Sequence, residues 1–333
     1  MKTRYLIVAD PILALNPVFD LGVCVSRELL ERGIAVDYLD LVAHDPDLET
    51  EAYLSGLPVR SIESADAARE PFWELGEKRI EDIGRYDVIL HRKDPPVDEL
   101  FVRHHSHFIE APEAILQINR PPATYELSEH TIGMRYPKFS APTWVCASFD
   151  EFLAAVRGQD GEAVCKPKNT YCGIGVSFVP SDVDSAVLRA YWAQWAPEVI
   201  VQAYLPAIEE SGDLRILTLG DQVLGSVLRV PADGSRLANL HQGATAARLE
   251  PTTRQLQCCA EVAADLNPLG LHLLGLDFIG EHLTEVNFTS PTTLVQINQV
   301  NGIRADRVMV DQLERMRAGM NHGSPVELST TEA

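Results

Sequence analysis

No apolar run in the 333-residue chain approaches the roughly 18 residues that a membrane-spanning helix needs. The opening stretch, Met1 to Arg4 and then Tyr5-Leu6-Ile7-Val8-Ala9, holds too short an apolar core for a secretory signal and reads as a first buried β-strand. The six cysteines stand at 24, 146, 165, 172, 258 and 259. None is spaced C-x-x-C, so a disulfide framework is not expected and reduced, cytoplasmic thiols are. Asn287-Phe288-Thr289 fits the glycosylation pattern, which carries little weight without a secretory signal. Basic residues are scarce: 28 Lys and Arg against 48 Asp and Glu give a net charge of −20. Nucleic acid and anionic membranes repel such a surface and are excluded as main partners. A small polyanion held by a few local arginines is not. There is no internal repeat, no G-x-S-x-G, no H-E-x-x-H and no G-x-x-x-x-G-K-[ST], which removes the serine-hydrolase, zinc-protease and P-loop readings.

What is present is globular: 46% hydrophobic and 23% charged residues can bury cores, and the length suits about two domains. The first part alternates strand and helix: a strand at Tyr5–Ala9, a helix from Phe19 to Arg32 stopped by Gly33, then strands at Ala35–Leu41, Asp87–Leu90 and Ala114–Ile118 with a helix from Asp98 to Glu110. That order predicts a parallel sheet covered by helices. Residues 44–82 are acidic and show no clear period. Beyond residue 120 the pattern becomes α+β. Ser148-Phe149-Asp150-Glu151 is a capping box; helices are expected over Ser181–Trp195, Thr252–Asn267 and Arg304–Arg317. Strands are expected at Glu162–Lys166, Gly175–Val179, Val199–Tyr204, Leu214–Leu219 and Gln222–Val230, and the polar end as a disordered tail.

The sharpest chemical signal is the hairpin Leu273–Ile279 and Leu283–Phe288. With a three-residue loop centred on Glu281, Leu274 faces Phe288, Leu276 faces Val286 and Phe278 faces Thr284, giving one apolar side. The other side pairs Asp277 with Glu285 and Gly275 with Asn287. Opposed carboxylates repel, so something should neutralise them. Oxygen ligands from Asp277, Glu285 and Asn287 suit a hard cation such as Mg²⁺; the plain alternative is a solvated edge.

Three weaker signals surround it. Lys166 ends an apolar strand before a loop containing Gly173 and Gly175, and glycines let backbone amides approach phosphate; a simple hairpin loop explains the loop equally. Arg215, Arg229 and Arg236 suit bidentate recognition of phosphate or carboxylate, against ordinary surface ion pairing. His104 and His107 share a helix face, but without a zinc-type spacing nearby they read as a solvated face. Cys258-Cys259 reads as small buried hydrophobes.

Several strings occur in one order: Asp10-Pro11-Ile12, Arg92-Lys93-Asp94-Pro95-Pro96, Asn119-Arg120-Pro121, Lys166-Pro167, Gln202-Ala203-Tyr204-Leu205-Pro206, Gly212-Asp213-Leu214-Arg215, Gly275-Leu276-Asp277 and Thr284-Glu285-Val286-Asn287-Phe288-Thr289-Ser290-Pro291-Thr292. In that order they resemble the prokaryotic glutathione synthetases of the ATP-grasp superfamily over about residues 4 to 317. The resemblance implies an N-terminal parallel α/β (pre-ATP-grasp) domain over 1–121. It implies an ATP-grasp fold whose two antiparallel sheets sandwich the nucleotide, with a central subdomain over 122–202 (lid loop 168–175), a C-terminal domain over 203–319 and a tail over 320–333. It implies an ADP-forming ligase that joins a carboxylate to an amine through an acyl phosphate, using ATP and Mg²⁺ or Mn²⁺ on amino-acid or small peptide substrates, in the cytoplasm and as a homo-oligomer. Carried over, Asp277, Glu285 and Asn287 hold the metal; Lys166, Gly173, Gly175, Gln202, Tyr204, Leu205 and Asp213 meet the nucleotide; Arg215 and Arg229 stabilise the transferring phosphoryl group. Arg92, Arg236, Asn239, Ser290, Pro291 and Thr292 line the substrate pocket. The sequence departs from the pattern at His130, where the family has a nucleotide lysine, at Thr170 for the first loop glycine, and at Gly243-Ala244 for a Gly-Gly pair. These departures keep two alternatives in view: a ligase using a non-glycine amine, and a nucleotide-binding module without turnover.

Overall fold

The computed structural model describes residues 3–41, 56–168, 174–238, 240 and 243–320. Three sheets organise them. The first contains β1 (Arg4–Ala9), β2 (Ala35–Asp40), β3 (Leu57–Ala65), β4 (Trp73–Leu75), β5 (Arg79–Glu81), β6 (Val88–Arg92) and β7 (Leu116–Ile118), in the order β4-β3-β2-β1-β6-β7 with β5 beside β3. Its centre is parallel. Tyr5–Ala9 is buried throughout, as a strand covered on both faces must be. Helix α1 (Leu21–Glu31), capped by the Asp20 side chain on Gly22 N, covers one face; α2 (Glu99–Ser106) is capped by Asp98. The sheet is mixed, not purely parallel, because β3 joins β2 antiparallel and itself pairs antiparallel with β4 and β5. These strands fall in the 44–82 stretch whose charges hide the period: Asp37, on the facing strand, binds Arg4 at 3.1 Å and Arg79 at 2.6 Å.

The second sheet runs β10-β9-β11-β8 from β8 (Thr143–Cys146), β9 (Glu162–Pro167), β10 (Ser177–Pro180) and β11 (Val199–Ala203). Helices α3 (Phe149–Arg157) and α4 (Ser185–Trp195) back it, and the Ser148–Glu151 capping box forms as expected. Strand β8 was not legible in the pattern. The third sheet runs β14-β13-β12-β15-β16 from β12 (Asp213–Leu219), β13 (Gln222–Val230), β14 (Thr245–Ala247), β15 (Leu273–Ile279) and β16 (His282–Asn287). Its apolar face packs on α5 (Thr253–Leu266), where Cys258 and Cys259 are buried among Val262, Leu276 and Val286. Helices α6 (Leu294–Asn301) and α7 (Ala305–Met320) return to the first sheet, and Met309, Val310 and Leu313 join the core that holds Val25 and Leu29 of α1. The expected closing helix is there; α6 was missed. Among the described residues no helix is long and apolar enough to cross a membrane.

The key hairpin keeps its chemical pairs and changes its turn. Gly275 faces Asn287, Leu276 faces Val286 and Asp277 faces Glu285, but the register then shifts and Phe278 faces Leu283. The turn is two residues, Gly280-Glu281, with Gly280 at φ 57°, a left-handed value that suits glycine. Thr284 is the bulged residue, and its hydroxyl donates to Asp277 O at 3.1 Å.

Candidate active site

Alternation on the third sheet gathers its polar side chains on one face. Strand register places Arg215 opposite Asp277 and Asp277 opposite Glu285, a row across three strands, with Asp213 opposite Arg229 one step along. Two glycines make the row fit. Gly212 holds φ 69°, where an added Cβ would lie 2.5 Å from Arg229 O. Gly275 leaves room for Arg215, whose Cδ would meet an added Cβ at 3.1 Å.

The charges in this row are buried and compensated. Arg215 Nε and Nη2 donate to both Asp277 oxygens, the second at 2.7 Å. Arg229 Nη2 lies 2.5 Å from Asp213 and 2.9 Å from Asp277. Glu285 is met by His130 Nδ1 and, at 3.6 Å, by Lys166 Nζ. Burial alone would raise the Glu285 carboxyl, but His130, Lys166 and Arg215 hold it well below the usual range. Burial pushes Asp213 up to about 7 against the pull of Arg229. The repulsion between Asp277 and Glu285 is thus already answered by side-chain cations and does not by itself demand a metal.

The second sheet supplies the opposing wall. Phe178, Val164 and Gln202 form a row across β10, β9 and β11, with Lys166 two residues along β9. Gln202 Nε2 donates to Thr143 Oγ1 at 2.9 Å and to Thr284 O at 3.4 Å, tying the two sheets at one edge. A cavity of about 150 Å³ lies there, lined by Gln202, Tyr204, Leu205, Phe178 and Arg236. It opens along Lys166, Asp213, Asp277 and Glu285 into a cleft of about 520 Å³. The far wall of the cleft comes from the first-sheet domain, through Asn16, Phe19, Asp20, Asp94 and Pro95.

Most residues singled out in the sequence meet in these two spaces. Lys166, Asp213, Arg215, Arg229, Asp277, Glu285, Asn287, His130, Ser290, Pro291 and Thr292 line the cleft. Two are placed differently. Arg236 lines the smaller cavity, not the substrate wall: its guanidinium sits 3.9 Å from the Phe178 ring centroid and 2.6 Å from Glu162. Arg92 is 2% exposed and donates to Pro291 O at 2.9 Å, so it supports the cleft wall from behind. Gly175 follows the segment 169–173, which with Gly173, Thr170 and most of the lid lies outside the described residues, as does Asn239. His104 is buried rather than solvated; beside it His105 stacks on Phe101 at 4.1 Å and lies 2.8 Å from Phe101 O.

Two supporting residues were not among the expected site residues, although Asn119 opens one of the strings that carry the family resemblance. Asn119, fully buried at φ 60°, donates to Leu273 O and Phe288 O at 2.7 and 2.6 Å and accepts from His272 N and Leu273 N, clamping the two ends of the hairpin. Glu129 Oε1 accepts from Phe288 N and Thr289 N, both at 2.6 Å, fixing the segment that carries Asn287. A tolerance of Asn for left-handed φ is the one local hint at the first.

Among the described residues no group of three or more His, Cys, Asp or Glu is placed to hold a metal. The donor set is two carboxylates and the Asn287 amide, whose Nδ2 donates to Asp277 Oδ2 at 3.2 Å and Glu285 Oε2 at 3.5 Å; with the amide oxygen turned toward the carboxylates the set fits a hard cation that completes its shell with phosphate oxygens and water. Among the described residues Asp213 Oδ1 and Arg229 Nε are buried without hydrogen-bond partners, an acceptor and a donor in the cleft, and Asp213 also lines the smaller cavity.

A cleft between two antiparallel sheets, with a cationic and oxygen-ligand face opposite a lysine, defines an ATP-grasp ligase. The chain belongs to the prokaryotic glutathione synthetase family. The family's ATP-grasp domain matches residues 129–302 and its N-terminal domain matches residues 3–123. Glutathione synthetase of Parasynechococcus marenigrum is 31% identical over 322 residues, covering 95% of this chain and 99% of the relative. That of Prochlorococcus marinus is 33% identical over 312 residues, covering 92% and 97%. In fold the chain is similar to a D-cycloserine synthetase, with TM-score 0.59, 16% identity and coverage of 93% of this chain and 100% of that one. It is also similar to D-alanyl-alanine synthetase A of Vibrio cholerae, with TM-score 0.56, 13% identity and coverage of 95% and 99%. The protein is an ATP-dependent, ADP-forming C–N ligase.

Proposed function

We propose that the chain joins an amino acid or small, γ-glutamyl-type peptide acid to an amine through an acyl phosphate. The observation that carries this reading is the Arg215–Asp277–Glu285 row facing Lys166, with the remaining cleft wall free for substrates. The smaller cavity, lined by Gln202, Tyr204 and Leu205, takes the base, and Asp213 Oδ1 the ribose. Lys166 and His130 face the phosphates, and Asp277, Glu285 and Asn287 hold Mg²⁺, which neutralises phosphate charge when bound. The substrate carboxylate attacks the γ-phosphorus and the bond to ADP breaks. The amine then attacks the acyl carbon, phosphate leaves, and the amine gives up a proton. Arg215 and Arg229 steady the anionic group in both steps, acting by preorganised charge rather than covalent chemistry.

In this reading the ion pairs of the row are resting contacts. Each cation leaves a carboxylate for a phosphate oxygen when nucleotide and metal arrive, so little solvent reorganisation is needed at the moment of reaction. The test is a panel of acids, including γ-glutamylcysteine, against a panel of amino acids, assayed for ADP release and product mass. Amide product with stoichiometric ADP is expected for at least one pair. Tight ATP binding without product for every pair, unrepaired by His130→Lys, would favour a non-catalytic nucleotide module.

A further inference from the structure

Among the described residues five charged side chains line the smaller cavity: Lys166, Asp213, Asp277, Glu285 and Arg236. The first four line the cleft as well. Arg236 does not, and it is the one charge confined to the cavity. With phosphates along Lys166 and the charged row, Arg236 stands at the end that takes the base.

Arg236 comes from the segment between β13 and β14 of the five-stranded sheet, yet it makes its contacts across the sandwich. Its Nη1 donates to Glu162 Oε2, at the start of β9, at 2.6 Å. The guanidinium carbon lies 3.9 Å from the centroid of Phe178, on β10, and 5.4 Å from that of Tyr204. The two rings meet edge to face with centroids 5.7 Å apart. Leu237 and Ala238, next along the chain, line both spaces, so one short segment passes from the base end into the cleft.

The ion pair does not account for this placement. The side chains of Arg236 and Glu162 are 33% and 32% exposed, and so exposed a pair is worth little. The stack is different. A guanidinium lying on an aromatic ring still presents its edge and its second face. A nucleobase offers a π-face and ring-nitrogen acceptors, and a planar cation with five donors matches both.

We propose that Arg236 is a nucleobase-binding residue: its guanidinium, backed by Phe178, stacks on the base of the nucleotide in the smaller cavity. This rests on the nucleotide placement given above and adds a contact that the opposite sheet supplies.

ADP and tripolyphosphate separate the base from the phosphates. Calorimetric titration of each into wild type and Arg236→Ala, with Mg²⁺ present, should show ADP affinity about tenfold lower in the variant and tripolyphosphate affinity within about twofold, the size of one cation–π contact. In turnover KM for ATP should rise by the same factor as ADP affinity falls, with kcat unchanged. Arg236→Lys keeps the charge but not the plane and should stay within about threefold of the alanine variant. Glu162→Gln breaks the ion pair and leaves the stack, so ADP affinity should stay within about twofold of wild type. Unchanged or tighter ADP binding in Arg236→Ala overturns the assignment. Equal losses for ADP and tripolyphosphate overturn it too, because Arg236 would then act on the whole site. So does a loss in Glu162→Gln as large as that in Arg236→Ala, which would make the ion pair the contact that matters. A wild type that binds tripolyphosphate as tightly as ADP would instead remove the base from the cavity, and with it the nucleotide placement itself.

Discussion

On the five-stranded sheet Asp277 is met by Arg215 and Arg229, and Glu285 by His130 and Lys166. Across the same cleft Asp20 accepts a backbone amide on one oxygen and, among the described residues, no hydrogen bond on the other, with Arg92 as the cation that acts on it. Both walls bury carboxylates, yet one holds them in direct ion pairs and the other faces its cation, Arg92, without one. The difference follows from what each wall meets. A wall that receives a polyanion with its metal needs cations and oxygen ligands at hand, and when empty these satisfy one another. Buried ion pairs are weak evidence for stability; here their arrangement is better read as a stored binding surface.

The largest effect should come from breaking the compensated wall. Asp277→Asn removes the carboxylate that both arginines share and that is proposed to hold the metal. We expect kcat to fall by on the order of 10³-fold or more, with circular dichroism and gel filtration unchanged. Near-normal turnover would remove Asp277 from the mechanism and leave the row as a structural ion network. Arg229→Ala should act in the same direction, because Asp213 and Asp277 both lose their shared cation.

A smaller effect is expected one layer out. Glu129 touches Phe288 N and Thr289 N and so orients Asn287 without being a proposed ligand. Glu129→Ala frees that segment, and supporting contacts of this kind are typically worth about 10- to 100-fold in metal affinity. The Mg²⁺ concentration for half-maximal activity should rise accordingly, and Mn²⁺ binding followed by electron paramagnetic resonance should weaken in parallel. Glu129→Gln, which can still accept through its amide oxygen, should recover much of the loss. If Ala and Gln behave alike, the backbone contacts are not what matters.

How much of this was readable in the chain follows the same division. The pairs Asp277–Glu285 and Gly275–Asn287 were legible because strand alternation is local and one apolar side fixes the register. The Thr284 bulge was not, since the difference between a two-residue and a three-residue loop rests on Gly280 taking a left-handed φ. Strands β3 to β5 were hidden because their charged residues are buried only by partners distant in sequence, as Arg79 is by Asp37. Arg92 and Arg236 carried the right residue type but no direction: whether a guanidinium reaches a cleft or braces its wall depends on Pro291 or Phe178, residues far along the chain. Asn119 acts through four hydrogen bonds to residues far along the chain and Asp20 through its place on the cleft wall, for neither of which periodicity has a signal.

Acid should separate the walls last and most gently. In the first-sheet domain, His91 and His105 are buried beside each other with ring centroids 5.4 Å apart; burial pushes them down to about 3 and about 4. His272, near the clamp of Asn119, is likewise pushed down by burial to about 4. In the unfolded chain each takes up a proton near its ordinary value of about 6.5, while the folded protein refuses it until far lower pH. The unfolded state therefore binds more protons between these limits, and stability present above about pH 6.5 is lost as pH falls. Each histidine contributes a slope of at most about 1.4 kcal/mol per pH unit. Glu285, held below its ordinary carboxylate value, begins to cost stability only below about pH 4.5. Asp213 and Asp40, raised to about 7 and about 6, take up protons in the folded state over the same range and oppose this slope, so urea midpoints from pH 8 to 4 should carry a first, histidine-driven decline below about 6.5 that the carboxyls partly offset, and a second below about 4.5. His91→Gln, which never titrates and keeps a hydrogen-bond partner for Gln117, should flatten the first decline and leave the second. Wild-type and His91→Gln midpoints that stay parallel from pH 8 to 4 would mean that the burial of His91 contributes nothing to the pH dependence.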